Sequence, residues 1–172
     1  MPDFFLQLLI FFERGGPVTV VILGVSTLLW IFILERYWFF YRVYPQRIKK
    51  IIQRWQERQD RTSWYALRLR EGLTTEIDLA LKKNLAPVQT LTQILPLLGL
   101  LGTVTGMIAI FDVITVFGTG NARGMADGIS QALLPTTAGL TTAIVGLYFS
   151  ANLKYRAKIQ GQQAMDSLNI TD

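Results

Sequence analysis

The sequence contains no cysteine and no histidine among its 172 residues. These absences exclude disulfide bonds, thiolate chemistry and the usual zinc sites. Charge is also scarce, because Asp, Glu, Lys and Arg make up 17% of the chain, against roughly 25% in soluble domains. No nucleotide-binding loop, serine-hydrolase elbow or HExxH pattern occurs. We therefore expect neither an enzyme nor a protein that carries a metal or cofactor.

Apolar residues dominate what is present. They make up 51% of the chain and form three long uncharged stretches, Gly15–Leu34, Asn84–Phe111 and Gly128–Leu153. A helix needs about 20 apolar residues to cross a bilayer, and each stretch reaches that length. The sequence predicts an all-α integral membrane protein with three transmembrane helices and cytoplasmic helical extensions.

The amino-terminal segment Met1–Phe12 is apolar but has no preceding basic residues and no small-residue cleavage pattern. Those two features characterise a secretory signal, so we do not interpret the segment as one. Phe4, Leu8 and Phe12 recur at helical spacing. We expect an amphipathic helix at the membrane surface over residues 1–13.

The positions of lysine and arginine predict the orientation. Residues 41–83 carry eleven of the 17 basic residues, and Lys154, Arg156 and Lys158 follow the third span. Cytoplasmic loops are enriched in basic residues, so we expect an amino terminus on the outer side of the membrane and a cytoplasmic carboxyl terminus. This placement beside membrane lipid explains the net charge of +5, and we expect no nucleic-acid binding.

The chain reads as one membrane domain without repeats or low-complexity linkers. Within the cytoplasmic segment we expect helix over 62–70, a break at Gly72 and a new helix from Thr75, where Asp78 completes a capping box. The predicted boundaries are a helix at 1–13 on the outer side of the membrane, spans at 15–40, 84–117 and 127–153, a cytoplasmic segment at 41–83, an outer loop at 118–126 and a cytoplasmic tail at 154–172.

Small residues recur along one face of the second and third spans. The second span has Gly99, Thr103 and Gly106, with Gly102 forming a GxxxG pair with Gly106. The third span has Ala132, Thr136, Gly139, Ala143, Gly146 and Ser150. Such stripes serve helix packing within one subunit, or they line a narrow passage. Thr103 and Thr136 lie deep in their spans, and we favour the passage for these two.

Other residues in the same spans interrupt the apolar pattern. Pro96 and Pro135 are expected to kink their helices, because proline displaces the carbonyl four residues earlier. Asp112 and Asp127 stand at the outer ends of the two spans, where an exposed interfacial position is common. No carboxylate lies at mid-depth, so any proton that crosses here needs a titrating group from another protein.

The segments 98–107 (LGLLGTVTGM) and 128–140 (GISQALLPTTAGL) resemble the MotA/TolQ/ExbB proton-channel family, and the short cytoplasmic loop resembles ExbB. The resemblance implies a homo-pentamer in the bacterial inner membrane, with the second and third helices around a central pore. An ExbD-type single-span partner inside it would carry the proton on an aspartate. Rotation would transmit force to a TonB-type protein and an outer-membrane transporter.

By the same resemblance, the pore and proton pathway would involve Thr103, Thr136, Gln131, Thr137 and Asp112. Gln131 stands where many members of the family have a glutamate, so a proton-relay role of that glutamate does not transfer. Three alternatives stay open: a TolQ-like subunit for envelope maintenance, a passive membrane scaffold, and a free-standing ion channel.

Overall fold

The computed structural model describes residues 2–58, 60, 63–118 and 122–168, with the backbone alone for residues 2–14. All regular elements in these ranges are helical, which confirms the all-α prediction. They are α1 (Pro2–Trp38), a π-helical turn (Phe39–Val43), α2 (Tyr44–Gln56), α3 (Trp64–Lys82), α4 (Leu85–Phe117) and α5 (Ala122–Ser167).

Three helical segments are long and apolar enough to cross a membrane, Gly15–Gln56, Trp64–Phe117 and Ala122–Ser167. Their number agrees with the three predicted spans. Beyond the first span the chain stays helical through the π-turn into α2, as the spacing of its apolar residues predicts. The helix of the third span, α5, is longer than expected, since it begins at Ala122 and continues to Ser167 through most of the predicted tail.

A glycine interrupts α1. Gly16 has φ 67° and ψ −174°, a conformation that is open almost only to glycine, and Pro17 follows it. Proline is well suited to the first turn of a helix, so the helical path resumes there. The backbone on the amino-terminal side is helical from Pro2, as predicted for 1–13. Met1 and the side chains of Phe4, Leu8 and Phe12 lie outside the described residues.

The predicted break at Gly72 is wrong, because α3 runs without interruption from Trp64 to Lys82. Its amino end is Ser63, whose hydroxyl accepts a hydrogen bond from the Ala66 N–H at 3.3 Å. Thr75 is an interior residue, not a cap, and its hydroxyl donates to the Glu71 carbonyl at 2.8 Å.

Packing explains why glycine does not end α3. Ala66, Ile77 and Leu81 are buried on one face of the helix. A glycine in a helix interior costs about 1 kcal/mol relative to alanine, which a buried face of this size outweighs.

The contacts divide the chain into two compact units. The first unit comprises Met1–Trp30 and Gln89–Tyr148, and the second comprises Ile31–Val88 and Phe149–Asp172. The core of the second unit is built largely from big side chains: Phe40, Tyr44, Trp55, Ala66, Ile77, Leu81, Leu85, Leu153, Ala157, Ala164 and Leu168. The predicted segment boundaries relative to a membrane remain predictions.

Candidate functional site

In the first unit, α4 and α5 contact each other through their backbones. A Cβ atom on Gly106 would lie 2.5 Å from the Ala132 Cα, and one on Gly99 would lie 3.1 Å from the Thr136 Cα. As residue numbers increase along α4, the residue numbers of the α5 positions that they contact decrease, so the helices are antiparallel. Any side chain at Gly106 would have to push the backbones apart, and the sequence therefore has glycine at this contact.

The remaining small residues extend this contact along both helices. The GxxxG partner Gly102 faces the buried ring of Pro135, whose Cγ would lie 2.3 Å from an added Cβ. Gly139 lies against the Leu95 carbonyl, at 2.7 Å from an added Cβ. These positions serve helix packing within one chain, the first of the two roles that the pattern allows.

The same packing involves α1 near the other end of the α5 stripe. An added Cβ on Gly146 would lie 2.9 Å from both the Leu29 Cδ2 and the Thr92 Oγ1. Ala143, about one turn before Gly146 on α5, is also buried. Three helices of the first unit thus approach each other through small residues on α5.

Thr136 makes a side-chain hydrogen bond between the two helices. Its hydroxyl donates to the Gly99 carbonyl at 2.9 Å and, within α5, to the Ala132 carbonyl at 3.2 Å. The absence of a side chain on Gly99 lets the threonine come this close. The hydroxyl is therefore engaged inside the chain, although the residue remains half-buried.

Thr103 lies about one helical turn from the level of Thr136, because Thr136 faces Gly99, four residues before Thr103 on α4. Thr103 is half-buried, and its hydroxyl donates to the Leu100 carbonyl of its own helix at 2.6 Å. The exposed Thr137 also bonds within its helix, to the Leu133 and Leu134 carbonyls. The hydroxyls of Thr103 and Thr136 therefore lie at neighbouring levels and bond to different carbonyls.

Gln131 is half-buried beside the interruption of α1. Its amide Nε2 would lie 2.7 Å from a Cβ on Gly16, and the positive φ of Gly16 favours glycine at that position. This contact was not predicted from the sequence. The one available signal was the Gly15-Gly16-Pro17 segment at the start of an apolar run.

The prolines and aspartates that the sequence singles out all lie inside α4 or α5. Both α4 and α5 continue through Pro96 and Pro135, and the kinks stay predictions. Asp112 and Asp127 are exposed. Within the described residues no three acidic side chains come together in a way that could hold a metal ion.

A buried arginine in the second unit was not identified as structurally important from the sequence. Arg36 is 1% exposed, and its Nη2 donates to the carbonyls of Ala80, at 2.6 Å, and Leu81. Its guanidinium lies over the rings of Phe39 and Phe40, 4.4 and 5.0 Å from their centroids. The cation thus caps the carboxyl end of α3, where the helix dipole favours positive charge.

The adjacent glutamate reaches the turn that follows α3. Asn84 has a left-handed backbone with φ 59°, and its Nδ2 donates to the Glu35 Oε2 at 3.2 Å. The Glu35-Arg36 pair therefore holds the α3–α4 junction from two sides. The sequence signal was a charged pair between an apolar span and the aromatic cluster at residues 37–41 (YWFFY), which by itself indicates only a membrane boundary.

Comparison with known proteins gives a consistent result. The model of the MotA/TolQ/ExbB proton channel family matches residues 42–165. "Putative biopolymer transport protein ExbB-like 3" of Synechocystis sp. is 32% identical over 167 residues, covering 79% of this chain and 80% of that protein. "Putative biopolymer transport protein ExbB-like 1" of the same organism is 44% identical over 63 residues, covering 35% of this chain and 25% of that protein. No solved structure matches the chain significantly.

The family match includes α4 and α5 with their small-residue contact, and three helices have the length and composition of membrane spans. This chain belongs to the MotA/TolQ/ExbB proton channel family.

Proposed function

We propose that this protein is an ExbB-type motor subunit, not an enzyme, that converts proton motive force into mechanical work for TonB-dependent transport across the outer membrane. It would act as a homo-pentamer in the bacterial inner membrane, with its amino terminus in the periplasm. An ExbD-type partner would stand in the central pore and a TonB-type protein would receive the force. Family membership and the ExbB-like names of the two relatives support this assignment.

One observation carries the proposal. Two threonines, Thr103 and Thr136, lie about one helical turn apart in level, in spans that contain no carboxylate between residues 84 and 111 or between 128 and 153. Hydroxyls and carbonyls can hydrogen-bond a proton carrier, but they do not titrate near neutral pH. The proposal therefore assigns the titrating aspartate to the partner. Gln131, Thr137 and Asp112 would complete the polar path from the outer side.

The passive scaffold is the competing function, and a specific observation favours it. The small residues of α4 and α5, including Thr136, are engaged in packing within one chain. A scaffold needs that packing but has no use for a hydroxyl at mid-depth.

Thr136→Val separates the two functions because it keeps the shape of the side chain and removes the hydroxyl. Under the motor proposal, energy-dependent uptake in cells falls at least tenfold while the purified complex keeps its subunit count by native mass spectrometry. Thr136→Ser should restore uptake. Thr27→Val in α1, whose hydroxyl bonds only to the Leu23 carbonyl of its own helix, is the matched control. Unchanged uptake in Thr136→Val would support the scaffold.

Native mass spectrometry of the chain with and without a co-expressed ExbD-type protein tests the assembly. We expect five copies of this chain around partner helices, and almost no current from the chain reconstituted alone. A substantial proton current without any partner would indicate a free-standing channel. A TolQ-like role is recognised from neighbouring genes for TolR and TolA in place of TonB and ExbD.

A further inference from the structure

A cationic pocket lies on the part of α5 that belongs to the second unit. It has a volume of about 310 Å³ and is lined by Asn152, Tyr155, Arg156, Ile159, Gln160 and Gln163. Among these lining residues Arg156 carries a positive charge, and none of them is acidic. The pocket is shallow and lies along one face of α5, and its one charged side chain can attract an anion.

Arg156 is held in place by three neutral side chains. Its Nε donates to the Asn152 Oδ1 at 2.9 Å, and its Nη1 lies 3.4 Å from the Tyr41 hydroxyl. The Asn152 Oδ1 also accepts from the Tyr37 hydroxyl at 3.1 Å. Because these partners carry no charge, they orient the guanidinium without neutralising it.

Two aromatic rings support the same cation. The Arg156 Cζ lies 5.8 Å from the Tyr37 ring centroid and 5.6 Å from that of Tyr41. A guanidinium held close to two phenol rings has already lost part of its rotational freedom, so less is lost when it binds an anion. The planar guanidinium also matches the two oxygens of a phosphate, which a lysine cannot do.

The position of the pocket indicates which anion it meets. Tyr37 and Tyr41 belong to an aromatic cluster that directly follows an apolar span, and Arg156 follows the uncharged stretch Gly128–Leu153. Tyrosine and tryptophan concentrate at the level of lipid headgroups, and exposed Tyr155 also lines the pocket. A phosphate at this level belongs to a phospholipid.

We propose that this pocket binds the phosphate of an anionic phospholipid, with Arg156 as the residue that recognises it. Tyr37, Tyr41 and Asn152 act as positioning residues that hold the guanidinium. The inference does not depend on the motor function, since it needs only the membrane setting and the geometry of the second unit.

Native mass spectrometry of the full chain, titrated with phosphatidylglycerol and separately with phosphatidylcholine, tests the proposal. We expect the wild-type protein to retain phosphatidylglycerol preferentially and Arg156→Gln to bind it about tenfold more weakly. Lys158→Gln is the matched control, because it removes the same charge from an exposed residue outside the pocket. Its affinity should stay within twofold of the wild type.

Further outcomes would overturn the proposal. Equal losses in Arg156→Gln and Lys158→Gln would mean diffuse attraction without a site. Displacement of the lipid by millimolar inorganic phosphate would indicate a free-anion site instead. A changed subunit count in Arg156→Gln, with lipid retention intact, would assign the residue to contacts between copies. Tyr41→Phe, which keeps the ring and removes the hydroxyl, provides a milder variant if Arg156→Gln does not fold, and its affinity should fall severalfold.

Discussion

The interiors of the two units of this chain are stabilised by different kinds of packing. In the first unit, α4 and α5 meet backbone to backbone, at positions such as Gly106 against Ala132. In the second unit, the core consists largely of big side chains such as Trp55 and Leu81, with Arg36 buried among them. Helices in lipid gain little from burying apolar side chains, because the lipid tails are equally apolar, so close backbone contact has to stabilise them.

The comparison also shows where polar groups are tolerated. The first unit uses hydroxyls, as in the bond from Thr136 to the Gly99 carbonyl, while the second unit buries a full charge at Arg36. Helix-end carbonyls and two aromatic faces replace part of the water around this arginine, while its buried Nε has no hydrogen-bond partner among the described residues. A hydroxyl needs less compensation, since a carbonyl of its own helix suffices.

The largest expected effect is on the backbone contact of the first unit. Gly106→Ala should lower the free energy of unfolding by about 3 kcal/mol, because its Cβ would lie 2.5 Å from the Ala132 backbone. Thermal unfolding followed by circular dichroism in detergent measures this loss.

Gly24→Ala is the matched control for that substitution. An added Cβ at Gly24 meets nothing within 4 Å, so stability should stay within about 1 kcal/mol of the wild type. Equal losses for the two variants would contradict the close contact of α4 and α5.

The next effect concerns the second unit. Arg36→Met keeps an unbranched apolar stem but leaves the Ala80 and Leu81 carbonyls without their donor. The expected loss is about 2 kcal/mol, since buried carbonyls without partners are costly. Urea unfolding in detergent, followed by tryptophan fluorescence, measures it.

Arg42→Met is the comparison for the arginine. Arg42 is exposed and lies over the Trp38 ring at 5.6 Å from its centroid, so its loss should cost less than half as much. If Arg36→Met were as stable as Arg42→Met, the cap on α3 would be unimportant.

The smallest effect should have the opposite sign. Gly72 lies inside a regular helix of the second unit, and an added Cβ would have no neighbour within 4 Å. Gly72→Ala should therefore raise the free energy of unfolding by about 0.5–1 kcal/mol. Melting temperatures of the two proteins measure the difference. Gly118→Ala has equally open surroundings but a φ of 71°, and it should be destabilising.

Much of the fold could be predicted from local patterns. Charge-free length predicts three spans, and the periodicity of Ile48, Ile51 and Ile52 predicts that helix continues beyond the aromatic cluster. Gly72 shows the limit of this reasoning. Glycine indicates a possible helix end, but whether the helix ends there depends on burial of distant partners.

The site could be predicted in part. The small-residue stripes identify the faces of α4 and α5 that make a close contact, but a stripe has the same sequence whether it faces a neighbouring helix or a pore. The hydroxyl of Thr136 and the amide of Gln131 find their partners, Gly99 and Gly16, more than thirty residues away. Such pairings depend on helix rotation, which local patterns do not specify.

The sequence by itself determined the helical class, the number of apolar spans and the absence of a carboxylate between residues 84 and 111 and between 128 and 153, because these follow from residue type and local spacing. Only the tertiary structure decided that Arg36 caps α3, that Thr136 bonds to α4 and that α1 is interrupted beside Gln131. Each of these depends on the distance between residues far apart in the chain, which is set by how the helices pack.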